Sequence, residues 1–302
     1  MHSNDPKVEL AFRGFQTVYT DAHSAATSHV DTVAMRVSSQ AASEDYGWMG
    51  SFPQLREWVG PRVVHKLKAH GFTIENRDFE STVSISRNDF KDDRLGIYKP
   101  MFQEMGVLAK QHPDELLFSL LASGFTHTGY DGQPFFDAAH PVRDAGSEQV
   151  TLASNVQDGA GQPWFLLDTS RAIRPLIWQE REAYDFAAMT GENEAPVFFN
   201  NELIFGTRAR VNAGFGLWQL AYASKAPLDA EGYAAARAAM GRYRADGGRR
   251  LGVRPTVLVV PPELEEAGLA VLNAEELPGG GSNVWKGTAA LVVTPFLDPI
   301  AA

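Results

Sequence analysis

The stretch that decides the reading is residues 71–124, GFTIENRDFESTVSISRNDFKDDRLGIYKPMFQEMGVLAKQHPDELLFSLLASG. It opens on two β-patterned runs, residues 72–74 and 83–86, and then changes period. Asn88 and Asp89 stand at the change as candidate helix N-caps, and Asp92 and Asp93 put negative charge in the first turn. From there Leu95, Tyr98, Phe102, Met105 and Leu108 recur at spacings of three and four, one apolar stripe on a helix. Pro100 is expected to kink that helix and Pro113 to restart it, with Asp114 and Glu115 in the new first turn. Leu116, Leu117, Leu120 and Leu121 carry the stripe to Gly124, the expected residue past its C-terminus. The stretch predicts a projecting hairpin that feeds one long helix over residues 89–123.

Upstream, residues 63–86 alternate as a hairpin with a turn at His70-Gly71 or at Asn76-Arg77-Asp78. A projecting hairpin is an unpaired edge unless another chain covers it. Residues 46–64 hold Tyr46, Trp48, Phe52, Leu55, Trp58 and Val59 among Gly and Pro, a loop-rich patch that reads as core packing or a ligand platform. Residues 1–45 are poor in large apolar side chains after Phe15. Residues 22–37 form at most a weak helix with a thin packing face, and the segment reads as an extended arm ordered by a neighbour.

Downstream, residues 164–168 and 256–260 read as buried strands, the second central in its sheet. Strands are expected at 173–177, 196–200, 203–205 and 289–293, and short helices at 230–243, capped by Asp229, and at 263–273. Residues 144–163 read as a surface loop.

The chain has 302 residues, 44% of them hydrophobic, enough for one large domain or two closely packed ones. It has no cysteine, which removes disulfides, thiolate metal sites and Cys nucleophiles. No apolar run approaches the roughly 20 residues of a membrane span. The first residues lack a signal-peptide pattern, so synthesis in the cytoplasm is expected. The net charge of −10 argues against a sequence-reading nucleic-acid binder, though not against a protein that encloses nucleic acid.

No catalytic pattern survives inspection. Gly214-Phe215-Gly216 lacks the third glycine of a dinucleotide loop. His127, Asp131, Asp137 and His140 are the best metal-like group, but their spacing matches no zinc or calcium pattern, and turn formation explains them. Helix capping accounts for Asp89, Asp92 and Asp93. Gly279–Gly281 reads as a mobile loop. Arg171, Arg174, Arg181, Arg208 and Arg210 are scattered among acids and read as salt-bridge partners. No catalytic, cofactor or metal site and no cofactor is expected. The arm, the hairpin and the long helix each need a neighbour, and heterologous contacts of that kind build rings or closed shells.

Several segments in order resemble the major head (capsid) protein family of Mu-like tailed phages. They include Tyr46-Gly47-Trp48, Leu55-Arg56-Glu57-Trp58, Ile74-Glu75-Asn76, Tyr130-Asp131-Gly132 with Phe135-Phe136 and His140-Pro141, and Leu166-Leu167-Asp168-Thr169-Ser170-Arg171. Gly214–Gln219, Arg254-Pro255-Thr256 and Asn283-Val284-Trp285-Lys286-Gly287 continue the pattern. The resemblance implies an α+β fold of the Hong Kong 97 capsid type. An N-terminal arm then falls on residues 1–45, and the aromatic patch with the E-loop on 46–88, the E-loop proper at about 60–86. A peripheral domain falls on 89–225 with its spine helix at 89–123, and an axial domain on 226–302. It also implies hexamers and pentamers of an icosahedral virion shell around double-stranded DNA, with scaffold and portal proteins as partners. Some relatives of that fold crosslink through a Lys–Asn bond; Lys66, Lys68, Asn76 and Asn283 match none of that chemistry, and no crosslink is expected. A protein-filled compartment of the same fold and a hydrolase built on His127–His140 are the alternatives.

Overall fold

The computed structural model describes residues 6–50, 71–92, 94–143, 149–277 and 280–298. In chain order the elements are α1 (Pro6–Ala25), α2 (Val30–Val33), β1 (Ala34–Ser38), β2 (Ser43–Asp45), β3 (Thr73–Glu75), β4 (Arg77–Ser86), α3 (Arg87–Lys91) and α4 (Lys99–Ala122). There follow β5 (His140–Arg143), β6 (Val150–Ala153), β7 (Val156–Gln157), β8 (Trp164–Leu167), β9 (Leu176–Met189), α5 (Ala195–Asn200), β10 (Glu202–Phe215) and β11 (Ala221–Ser224). The chain ends with α6 (Ala230–Gly241), β12 (Val257–Val260), α7 (Glu265–Leu272), β13 (Glu276–Leu277), β14 (Gly281–Ser282) and β15 (Ala290–Val293). No described helix is long and apolar enough to cross a membrane.

The long helix is α4. Pro100 does not kink it; it lies in its first turn, where a missing N–H leaves no bond unmade. Pro113 lies inside the helix and is buried, and the helix runs through it to Ala122. Ser86, not Asn88 or Asp89, caps the short α3 that precedes it, its hydroxyl accepting from Asn88 N. Gly124 is not a left-handed C′ residue but part of a 3₁₀ turn, Ser123–Phe125. Glycine is needed there for another reason, because a Cβ would lie 2.7 Å from Phe136 Cδ2.

One helix serves two cores. Phe102, Met105 and Ala109 of α4 pack with Phe15 of α1 and with Phe186 and Phe205 of β9 and β10. Leu117, Phe118 and Leu121 join a larger core around β8, β11 and β12.

The amino-terminal segment differs from the expected extended arm. Residues 6–25 form a 20-residue helix whose Val8, Ala11, Phe15, Tyr19 and Ala22 are buried. Its packing face is thin because the groove it fills supplies the bulk. Phe15 stacks on Phe102 at 4.2 Å and meets Phe205 edge-on at 5.4 Å. The axes approach so closely at Gly106 that a Cβ there would strike the Tyr19 carbonyl oxygen. Gly106→Val should therefore cost about 1–3 kcal/mol by overpacking, read as a lower urea midpoint with faster amide exchange along α1. An unchanged midpoint would mean that the two helices are not in contact. The segment from Val30 is not a weak helix continuing to Val37; after one turn it becomes β1, parallel to β9.

Two larger sheets and three two-stranded ones make up the β-structure of the described residues. The four-stranded sheet has the order β1-β9-β10-β4. β4 pairs antiparallel with β10 from Ser86–Glu202 to Arg77–Val211. β3 pairs instead with β2, so β3 and β4 do not form a hairpin with each other. The outer part of the expected hairpin and the patch from Phe52 to Val64 lie outside the described residues. β9 and β10 are 14 residues each, where only short strands at their ends are expected from sequence. In β10 Leu203, Phe205, Ala209 and Val211 face the core at period two, with Arg208 and Arg210 turned outward. The expected strand at 196–200 is the helix α5. Pro196 opens it and Asn201, at φ 54°, closes it in the left-handed conformation.

The five-stranded sheet has the order β15-β12-β8-β11-β7. β8 and β12 are buried along their whole length, as their continuous apolar runs imply. β12 is internal to the sheet, flanked by β15 and β8. Asp229 caps α6, accepting from Gly232 N at 2.8 Å. The expected boundary at residue 226 passes through this sheet, because β7, β8 and β11 precede it. The unit is closed by two separate stretches of chain.

Candidate assembly surfaces

The structure divides the His127, Asp131, Asp137 and His140 group among separate hydrogen bonds within the fold. His140 is fully buried, its Nδ1 2.7 Å from Asp131 Oδ2 and its Nε2 3.1 Å from Asn155 Oδ1. Its ring stacks on Trp218 at 4.0 Å. Asn155 is also fully buried; it donates to the Phe135 carbonyl and accepts from Asp137 N. Asp137 turns back to accept from Ala139 N at 2.7 Å. His127 lies away from the pair, beside the Ser123 carbonyl. Among the described residues no group of His and acids can hold a metal ion. The sequence signal was a local turn around a histidine that pins it.

The arginines likewise have internal partners. Arg174 donates to the Asp31 and Ala34 carbonyls and fixes the start of β1. Arg171 donates to the Leu251 and Gly252 carbonyls, and Arg181 to the Ser39 carbonyl. Arg208 pairs with Glu182, and Arg210 Nε lies 3.9 Å from Asp78 Oδ1. Exposed pairs of that kind stabilise by less than about 1 kcal/mol. The glycines of Gly214-Phe215-Gly216 serve packing, since a Cβ would strike Ile74 at the first and the Arg174 carbonyl at the second.

The candidate crosslink asparagines are occupied. Asn76 donates to Ser39 Oγ and the Ala41 carbonyl, both at 2.8 Å, and accepts from Gln179 Nε2. Gln179 in turn accepts from the buried Tyr46 hydroxyl at 2.8 Å, whose pKa burial pushes up to about 12. Asn283 donates to the Val271 and Ala274 carbonyls and accepts from Trp285 N. Lys66, Lys68, Asp93 and Gly279 lie outside the described residues.

Part of the described surface is apolar. Phe198 and Phe199 of α5, at the end of the β9–β10 ribbon, are 70% and 77% exposed. Leu10, Ile97 and Leu108 are exposed along the α1–α4 side. A groove of about 150 Å³ runs between α4 and the sheet, lined by Phe79, Met105, Leu108, His112 and Tyr184. Within it His112 Nδ1 and the Tyr184 hydroxyl are in hydrogen-bond contact. Contiguous exposed apolar side chains mark contact surfaces rather than chemistry. Sequence reading passed over Phe198 and Phe199 because it placed them in a strand. On a helix two successive phenylalanines diverge by about 100°, and that divergence was the available signal.

Burial holds the His112 imidazole below its ordinary value; Glu115 opposes the shift and Arg77 adds to it. His23 is lowered too, by burial and then by Lys110. An unfolded chain takes up these protons near pH 6.5, at about the free histidine value, and the folded chain only at lower pH. Their stabilisation is thus present above that value and lost as the pH falls through the folded ones. The urea midpoint should drop from about pH 7.5 to about pH 5.5, and His112→Gln should flatten part of the drop. An identical slope in the variant would remove His112 from the account.

Comparison with known proteins agrees with a surface made for assembly. Residues 8–297 match the family described as Mu-like prophage major head subunit gpT. The chain is 46% identical over 280 residues to the major capsid protein of Escherichia phage Mu, covering 90% of this chain and 92% of that one. It is 39% identical over 274 residues to the Mu-like prophage FluMu major head subunit of Haemophilus influenzae, covering 89% of each. Among solved structures, a subunit of the bacteriophage JBD30 procapsid superposes with a TM-score of 0.85 at 42% identity, over 97% of this chain and 99% of that one. The bacteriophage JBD30 capsid matches with a TM-score of 0.77 at 30% identity, over 91% and 92%. The architecture is therefore the Hong Kong 97 capsid type. The chain belongs to the Mu-like gpT major head subunit family and is a structural capsid protein of a Mu-like phage head, not an enzyme.

Proposed function

We propose that this capsid protein closes into hexamers and pentamers of an icosahedral shell around double-stranded DNA, built in the host cytoplasm with a scaffold protein and a portal. The observation that carries the proposal is the likeness, over 97% of the chain, to a subunit of an assembled procapsid. Equal subunit shape over that length favours equal packing. The net charge of −10 suits an inner wall that must not grip its contents.

Within this reading residues 1–45 are the N-terminal arm, its helix α1 laid on the subunit's own spine helix. The E-loop is the segment at about 60–86. The peripheral domain is organised around α4 and the four-stranded sheet. The axial domain is the unit of the five-stranded sheet with α6 and α7, assembled from residues on both sides of the β9–β10 ribbon. Native mass spectrometry of capsomers tests the reading. Six-copy and five-copy rings are expected; dimers or trimers alone would overturn it.

A further inference from the structure

Charge is segregated within the unit of the five-stranded sheet. Between residues 237 and 254 the charged side chains are Arg237, Arg242, Arg244, Arg249, Arg250 and Arg254 against Asp246. From residue 255 onward they are Glu263, Glu265, Glu266, Glu275, Glu276 and Asp298 against Lys286. A chain of net negative charge has thus gathered a basic segment and an acidic one side by side in sequence.

The structure sets them apart in space. Residues 243–251 form a tight hairpin, with Leu251 N donating to the Tyr243 carbonyl and Ala245 N to the Arg249 carbonyl. Gly247 and Gly248 turn it with φ 86° and 77°. The hairpin is tied to the β7 end of the sheet, because the Tyr243 hydroxyl donates to the Ser154 carbonyl and Gly247 N to the Arg143 carbonyl. α7 packs over the opposite end, its Gly268 so close to β15 that a Cβ would lie 2.7 Å from Leu291 Cδ1. With β15 and β7 at opposite ends of five strands, the two edges are about 20 Å apart at the usual strand spacing.

Neither edge neutralises itself. Arg242, Arg244, Arg250 and Arg254 are exposed, as are Glu263, Glu265 and Glu266. None of them forms an ion pair with a described residue. Arg249 Nε is buried without a hydrogen-bond partner among the described residues. A two-fold contact through either edge would set like charges face to face. A head-to-tail contact sets opposite charges together, and such contacts close rings.

We propose that in the capsomer ring the arginine hairpin around 242–250 of one subunit docks on the acidic segment 263–266 of the next copy. The inference rests on the capsomer reading above and adds the residues that orient the ring. It predicts that ring formation weakens as salt rises, since screening shortens the reach of exposed charges to about 3 Å at 1 M.

The test is a charge swap. Arg242→Glu/Arg244→Glu/Arg250→Glu and Glu263→Arg/Glu265→Arg/Glu266→Arg are made separately and together in the full chain. Circular dichroism establishes that each variant folds, and size exclusion with electron microscopy reads assembly. Each separate reversal should cut the yield of rings and shells at least tenfold, and the combined swap should restore it to within about twofold. Normal assembly of a folded single reversal would overturn the docking. So would a folded combined swap that assembles no better than the singles. If only the arginine reversal fails, with or without the swap, the hairpin serves a different anion, such as DNA or an acidic partner protein, and the docking is again wrong. A wild-type chain that forms no ring, even with its scaffold protein present, would instead remove the capsomer reading itself.

Discussion

Replacing Phe15 by alanine is expected to lower the stability of the folded chain by about 3–5 kcal/mol. Phe15 is 2% exposed and sits between the rings of Phe102 and Phe205, so truncation removes apolar burial from three elements at once. The space left behind cannot close readily, because α1 is held at Tyr19, whose hydroxyl hydrogen-bonds Thr207 Oγ1 of β10 at 2.9 Å. Urea unfolding of the purified chain measures the loss. The change should be accompanied by faster amide exchange in α1 and the first half of α4, while β8 and β12, which lie in the other core, stay protected. A loss below about 1 kcal/mol would mean that α1 is not docked in solution, and the amino-terminal segment would revert to an arm ordered only by a neighbour.

The second large effect is expected at His140. His140→Ala should cost about 3–5 kcal/mol, because it strands the Asp131 carboxylate, whose side chain is only 8% exposed, without its partner. It also strips one hydrogen bond from the buried Asn155 amide and leaves the Trp218 face bare. The damage should centre on the turns at 127–137 and at 217–220, which the Asn155 side chain ties together through the Phe135 and Trp218 carbonyls. Adding Asp131→Asn to His140→Ala should recover part of the loss, since an amide tolerates a buried position better than an unpaired carboxylate. A double variant no more stable than His140→Ala would show that the pair is not what holds these turns.

The long helix was legible because its apolar spacing persists through two prolines, and the buried strands β8 and β12 because nothing polar interrupts them. Asp229 announced its helix by capping chemistry alone. α1 was missed for a reason that lies outside its own sequence. Ala11 and Ala22 are too small to advertise a packing face, and they suffice only because Gly106 lets the helices touch and Phe102, Phe186 and Phe205 fill the groove. β9 was read too short because residues 179–185, Gln-Glu-Arg-Glu-Ala-Tyr-Asp, are almost all polar and carry no apolar alternation, on a ribbon with one face exposed. The five-stranded sheet draws strands from both sides of residue 226, and a sheet closed by two distant stretches leaves no mark at either. The expected absence of a catalytic site rested only on the failure of each motif to find its context. The resemblance to a capsid family turned that absence into a function.

The most direct test of the central claim is negative-stain electron microscopy of the purified chain, expressed alone and then with its scaffold protein. Closed shells, tubes or rings of uniform subunits are the expected result. A folded monomer that forms none of these, even with scaffold present, would contradict the account.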